Sequence, residues 1–487
     1  MSGWVEAQYA DLGWSPIYAG NPFIRAMGPV LQVDAIERAL RHDPGVDPTS
    51  RQLVDIQRVH RIAEMDRLFF PRAEDLRTAV LLDLLVRQGY QHRNPLDPGY
   101  GQYQYQARQE AIAAFRSPRR QTAPLTLIAG PSGTGKTTAM QAIASLQPSA
   151  IKHTCYQGEP FDWLQIPIVT AEASFNGTPR GIALDFFRGV DELTGTTTYH
   201  DQYNTSRPQN VEILVGGMAQ VCATFAIGAI VIDEVQHVEN YKTGKNSFEG
   251  LDFLIKLSNV LRVPVALAGT DRAVTLLAQR FQDARRVCSG GYVQYKLPAD
   301  FRDRHWRHRM EWIWKYQWQP TYLPFTDEVA EWYFSLTQAV LSIDVLLAKM
   351  VQQRAAMLGA SSISKKDFIY VYTHHMVPLH GPLDALRRRS VDPKAIERYE
   401  DLIFNQGGLA SLLAQVSPVS PVPDILDPHP VQKEAANSAA IHVVPAQRRR
   451  SSKREDRQLD PDDLRNALQT DDPVLALRSM AGMEMPK

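Results

Sequence analysis

Residues 125–138 read Leu-Thr-Leu-Ile-Ala-Gly-Pro-Ser-Gly-Thr-Gly-Lys-Thr-Thr. Leu125–Ala129 is short and apolar, the pattern of a strand buried on both faces. Gly130–Thr137 fits GxxxxGK[ST], and Thr138–Leu146 continues as a helix, the context this motif requires. A glycine-rich turn can aim successive backbone N–H groups at one point, and the helix start adds its positive end. The expected phosphate cradle is Gly130, Pro131, Ser132, Gly133, Thr134, Gly135, Lys136, Thr137 and Thr138. Lys136 would reach the outer phosphates, and the Thr137 hydroxyl would ligate Mg²⁺. ATP with Mg²⁺ is the expected cofactor pair.

About a hundred residues on, Ala229-Ile-Val-Ile-Asp-Glu234 ends a second apolar run in two carboxylates. Asp233 is placed to hold Mg²⁺ through water, and Glu234 to act as general base on an attacking water. A third run, Val263–Thr270, ends in a hydroxyl; a strand between the other two would bring Thr270 near the γ-phosphate as a sensor. Thr270 could equally cap the helix that follows. Further on, Arg285 and Arg286, with Arg280 in reserve, are candidates for an arginine that reaches a neighbour's γ-phosphate. Such trans-acting arginines contribute roughly 10³–10⁵-fold in rate, and one here would make activity depend on an oligomer.

The strand-like runs Leu125–Ala129, Ile166–Thr170, Ile227–Ile232 and Val265–Ala268 alternate with helical stretches, which predicts βαβ units and a parallel sheet. From about 293 to 407 the pattern turns helical, at Glu328–Leu336, Asp344–Met357, Lys365–Tyr372 and Pro382–Arg389. Val416–Pro430 holds five prolines and reads as linker. The fold class is thus α/β, a P-loop domain with a parallel sheet, then an α-helical lid and a largely disordered C-terminal tail. The expected division is 1–99, an N-terminal partner-interaction region; 100–292, the nucleotide-binding domain; 293–407, the lid; and 408–487, a proline-rich linker and docking tail.

The 487 residues carry 53 Lys+Arg against 53 Asp+Glu. Zero net charge argues against a protein that coats nucleic acid by bulk charge, but leaves local basic loops possible. No apolar run approaches the ~20 residues of a bilayer span, and the N-terminus shows no secretory pattern. Cys155, Cys222 and Cys288 form no CxxC pair and are expected as buried small hydrophobes. A reducing cytoplasm is the simplest expected location, with no membrane partner.

The P-loop, the Ile230–His237 box and the Pro264–Ala273 strand resemble TnsC, the AAA+ ATPase of TnsABC-type transposons, and its relatives TniB and IstB. More specific likeness lies in Tyr18–Ile24, Asp283–Arg286 and the block from Thr326 through Leu386 to Leu402; together the resemblance spans roughly residues 15–405. Leu459–Leu464 also resembles the acidic end by which TnsC engages the TnsA endonuclease. The resemblance implies an AAA+ regulator of transposition that forms rings or helical filaments on double-stranded DNA. Its implied partners are a TnsD- or TniQ-type target selector, the transposase TnsB and the endonuclease TnsA. It adds weight to Arg285 and Arg286 as trans-acting and to Thr270 as sensor. One departure is Gln338–Asp344, where many AAA+ lids carry a sensor arginine and this chain has none.

Phosphate-backbone contact needs donors at loop tips or helix starts. Asn176, Arg180 and Thr196 after the second strand, and Lys242 and Lys245 after the acidic strand, are the DNA-binding candidates. The competing readings are a replication-initiator or helicase-loader ATPase, a P-loop phosphotransferase, and a nucleotide-gated scaffold with negligible hydrolysis. Glu234 argues against the phosphotransferase.

Overall fold

The computed structural model describes residues 4–116, 123–205, 209–240, 249–278, 285–286, 289–388 and 399, and every structural statement concerns these. Eight strands are present among them: β1 (Trp4–Glu6), β2 (Leu125–Ala129), β3 (Ala150–Tyr156), β4 (Glu159–Gln165), β5 (Ile168–Glu172), β6 (Ala229–Asp233), β7 (Val265–Gly269) and β8 (Tyr292–Gln294). Five form one sheet in the order β5-β6-β7-β2-β8, parallel throughout. The strand ending in Thr270 therefore lies between the P-loop strand and the acidic strand, as its sequence position predicts. The order places the carboxyl ends of β2, β7 and β6 side by side.

β2 has the predicted bounds, but two other strands of the sheet are shifted. β5 begins at Ile168 rather than Ile166, because Pro167 has no N–H to give a ladder. β6 begins at Ala229 rather than Ile227, after a turn in which Ala226 takes φ 43°. The P-loop helix runs Lys136–Ala144, two residues earlier than expected at each end.

Strand side chains alternate between faces, and the two faces differ in size. Leu125 and Leu127 of β2, Ile230 and Ile232 of β6, and Val265 and Leu267 of β7 point into one core. There they meet Phe186, Phe187, Leu214 and Leu254 from the helices Pro179–Thr194, Val211–Thr224 and Glu249–Leu261. The opposite face presents Ala229, Ala266 and Ala268 with Ile128 and Val231. Small side chains let the long helix Ala73–Gln91 lie close: a Cβ on its Gly89 would stand 2.3 Å from the Gly228 carbonyl oxygen.

The N-terminal stretch is packed into the rest. Phe23, Ile24 and Tyr90 lie in the second core, and β1 extends a smaller sheet, β1-β3-β4, whose hairpin turns at Gln157 and Gly158, both with positive φ. Ile62 and Met65 join a third core built from the C-terminal helices Arg304–Trp314, Asp327–Thr337, Leu341–Met357, Lys365–His375 and His380–Arg387. These match the helical lid expected from sequence. Among the described residues no single helix is long and apolar enough to cross a membrane. Cys222 is buried as expected; Cys155 is exposed, at the register shift between His153 and Cys155 in the β3–β4 pair, and Cys288 lies outside the described residues. So do the proline-rich linker and the tail.

Replacing Gly89 by Ala forces a methyl into the helix–sheet notch. Overpacking of this kind costs about 1–3 kcal/mol, and chemical denaturation of Gly89→Ala against wild type should show a loss of that size.

Candidate nucleotide site

The loop after β2 turns on its glycines. Gly133 and Gly135 have φ of 73° and 83°, a backbone region that side chains disfavour. Both are also crowded: a Cβ on Gly133 would stand 2.5 Å from Ser342 Oγ, and one on Gly135 3.2 Å from Leu341 Cδ2. These neighbours belong to the lid. Ser342 N–H donates to the Gly133 carbonyl at 3.0 Å. The lid segment without an arginine thus meets the P-loop through its backbone, after a sharp turn in which Gln338 and Ala339 both take positive φ.

Lys136 is buried, and its Nζ donates to the carbonyls of Gly130 and Pro131 at 2.8 and 2.9 Å. Burial holds its ammonium below the usual lysine range, against the opposing charges of Asp271, Glu234 and Asp233. Thr134 Oγ1 donates to the Pro131 carbonyl at 2.8 Å and stiffens the loop from within. Thr137 and Thr138 stay exposed at the helix start.

Thr137 Oγ1 donates to Asp233 Oδ2 at 2.7 Å, joining the P-loop helix to the end of β6. The other oxygen, Asp233 Oδ1, accepts the Glu234 N–H at 2.8 Å. Glu234 has φ 55°, a left-handed conformation that costs a non-glycine residue on the order of 1–3 kcal/mol. That turn lets both carboxylates, which an extended strand would send to opposite faces, act on Lys136. Next comes a residue the sequence reading missed. Gln236 Nε2 donates to Glu234 Oε2, and Gln236 Oε1 accepts the Thr270 N–H at 3.1 Å. One side-chain amide therefore ties the acidic pair to the end of β7. Gly269 makes room for it, since a Cβ there would stand 2.6 Å from Gln236 Oε1. Thr270 Oγ1 is buried and has no hydrogen-bond partner among the described residues. A buried hydroxyl without a partner costs roughly 1–3 kcal/mol, which suits a site completed by a polar ligand.

Further charges surround the loop. Burial pushes the Asp271 carboxyl up to about 6, against a hydrogen bond from Gln294 and the charge of Lys136. Arg72 pairs with Asp75 at 3.0 Å, lies 4.6 Å over the Tyr295 ring, and would be 3.8 Å from a Cβ on Gly135. Arg309 of the lid is lowered to about 10 by burial and by the charge of Arg72. Neither arginine carries a sequence signal, since each nears the loop only through packing.

The remaining candidates are scattered. Asn176 is exposed in the loop after β5. Arg180 is half-buried in the first turn of Pro179–Thr194 and turned toward Asn204 and Thr205, at 3.4 and 3.5 Å. Thr196 follows the other end of that sixteen-residue helix, about 24 Å away at 1.5 Å per residue. Its hydroxyl donates to Asp191 at 2.8 Å. One loop cluster holding Arg180 and Thr196 together is thereby corrected: the helix between them carries Thr196 to the far end of the sheet. Arg285 and Arg286 are exposed on a short helical piece. Arg280, Lys242 and Lys245 lie outside the described residues.

A family model described as AAA domain matches residues 119–277. That segment is similar to AAA domains. It contains the P-loop, the acidic strand and Thr270. No curated protein matches the chain. Several solved structures are similar to it: the ORC2 protein of Aeropyrum pernix in ADPNP–ADP complexes, at 13% identity over 66% of this chain and 86% of that one; a Walker-type ATPase of Pyrococcus abyssi, at 15% over 63% and 88%; and Cdc6p from Pyrobaculum aerophilum, at 14% over 66% and 86%. Each has a TM-score of 0.34, too low to bear on what this chain does.

The Asp271 carboxyl, raised by burial, keeps its proton in the folded chain over a window, from the ordinary carboxylate range to about 6, where the unfolded chain has released it. Its contribution to stability is therefore full at low pH and lost as pH rises through about 6. Denaturation curves of Asp271→Asn and wild type should diverge between pH 4 and 7, with the variant gaining on the order of 1–3 kcal/mol relative to wild type.

Proposed function

We propose that the chain hydrolyses ATP and uses the cycle as a switch for assembly on double-stranded DNA. The observation that carries this reading is the Thr137–Asp233 hydrogen bond at 2.7 Å, with Glu234 beside it and the partnerless Thr270 hydroxyl at the end of the intervening strand. The loop N–H groups and Lys136 hold the phosphates. Thr137 would ligate Mg²⁺ and Asp233 would hold it through water, and the ion would offset phosphate charge. Glu234 orients and deprotonates the attacking water, and Thr270 donates to the terminal phosphate. Gln236 is a positioning residue that keeps Glu234 and Thr270 in one frame. An acidic residue adjacent to the metal carboxylate supports hydrolysis over transfer to a small acceptor. Arg285 and Arg286, exposed at the surface, act on the site of a neighbouring copy, so turnover requires a ring or helical filament. The four-segment division belongs to the same reading.

Asn176, Arg180, Lys242 and Lys245 serve as the DNA-facing set, with Thr196 as a separate contact. Such contacts are to the phosphate backbone and are salt-sensitive. Regulation of transposition, with TnsB, TnsA and a TnsD- or TniQ-type selector as partners, rests on the sequence resemblance alone. An initiator- or loader-type role uses the same nucleotide site. Pull-down with an integrase-type transposase against a replicative helicase separates the two.

Steady-state ATP turnover tests the shared core of both. Lys136→Ala should lose nucleotide binding, and Glu234→Gln should keep binding while turnover falls 10²-fold or more. Gln236→Leu should bind ATP normally with kcat down 10- to 100-fold and KM little changed. Wild-type turnover in Glu234→Gln would refute hydrolysis at this site. Duplex DNA should stimulate wild-type turnover at low salt and lose that effect as salt rises.

A further inference from the structure

At the amino-terminal ends of β2 and β7, on the side of the sheet away from the P-loop, a cleft of about 840 Å³ opens between the end of the helix Ala73–Gln91, the start of the helix Tyr100–Arg116, and the residues Pro124 and Pro264. That volume falls in the range of small-molecule sites. Arg93 lines it and is 5% exposed. Its Nε donates to the Gly89 carbonyl at 2.6 Å and its Nη2 to the Gly228 carbonyl at 3.2 Å. Among the described residues its Nη1 donates to no protein group and no carboxylate pairs with the guanidinium. The two carbonyls offset part of the charge. A buried cation without a counter-charge is otherwise expensive.

The other walls supply more donors and flat apolar surface. Tyr100 and Tyr103 line the cleft with ring centroids 5.9 Å apart, and neither hydroxyl has a protein partner among the described residues. At the lip stands Arg262, held at φ 56°, with its guanidinium 5.4 Å over the Tyr103 ring and 2.9 Å from Glu110. Acidic groups are few: Glu110 is engaged by Arg262, and Asp97 stands exposed on the rim.

We propose that this cleft binds a small organic anion, its phosphate or carboxylate on Arg93 Nη1 and the two tyrosyl hydroxyls and its flat body along the Tyr100 and Tyr103 rings. The site is separate from the nucleotide site and does not depend on the ATPase reading. Calorimetric titration of the full chain, its P-loop filled with stoichiometric ADP, tests it with adenosine 5′-monophosphate as the phosphate probe and indole-3-acetate as the carboxylate probe. At least one probe should saturate a single further site in the micromolar range. Arg93→Gln should weaken it tenfold or more. Because Arg93 also ties the helix end to Gly228, Tyr103→Phe, which removes one hydroxyl and leaves the ring, should weaken it at least threefold with ATP turnover unchanged. Absence of saturable heat with both probes, equal affinity in both variants, or displacement of the probe by further ADP would overturn the proposal.

Discussion

A hydrogen bond between Thr137 and Asp233 spans two strand spacings, because β7 lies between the strands that lead to them. Adjacent strands stand about 4.8 Å apart, so side chains at the ends of β2 and β6 meet only if they project from the sheet edge. The P-loop helix start and the left-handed turn at Glu234 both do this. In an open parallel sheet, ligands bind outside the carboxyl ends of the strands. Here that edge gathers the phosphate loop, the carboxylate pair and the buried Thr270 hydroxyl.

The surrounding packing serves the same edge. Alanines on one sheet face and the Gly89–Gly228 notch let the long N-terminal helix lie against the strands. Arg72 and Tyr295 are thereby brought beside the glycine loop. From the other direction, the lid reaches Gly133 by a backbone hydrogen bond and by Val340 and Ser342, and Gly135 by Leu341. Asp344 anchors that lid segment by accepting from Thr337 at 2.6 Å and Trp306 at 3.0 Å. Movement of the lid therefore cannot leave the P-loop unaffected.

What could be read from the sequence was local or motif-borne. The strand before the P-loop, the acidic strand and Thr270 lie in the order their spacing implies, and four of the five lid helices were legible as helical stretches, Arg304–Trp314 being the exception. The β3–β4 hairpin was missed because polar His153 and Gln165 fill buried positions and a register shift between His153 and Cys155 interrupts the alternation. β1 was missed because three residues pair with a strand 146 positions away, Trp4 opposite Ala150. Gln236 escaped notice because its importance lies in two hydrogen bonds across a turn, and no spacing rule encodes those. Thr196 was placed with Arg180 because both follow β5, and the length of the helix between them was ignored.

Nucleotide-dependent assembly is most directly measured by sedimentation of the purified chain with duplex DNA, once with a slowly hydrolysed ATP analogue and once with ADP. The analogue should yield DNA-bound species of many copies that ADP does not support. A chain that sediments as a single copy under both conditions would contradict a site completed by its neighbour.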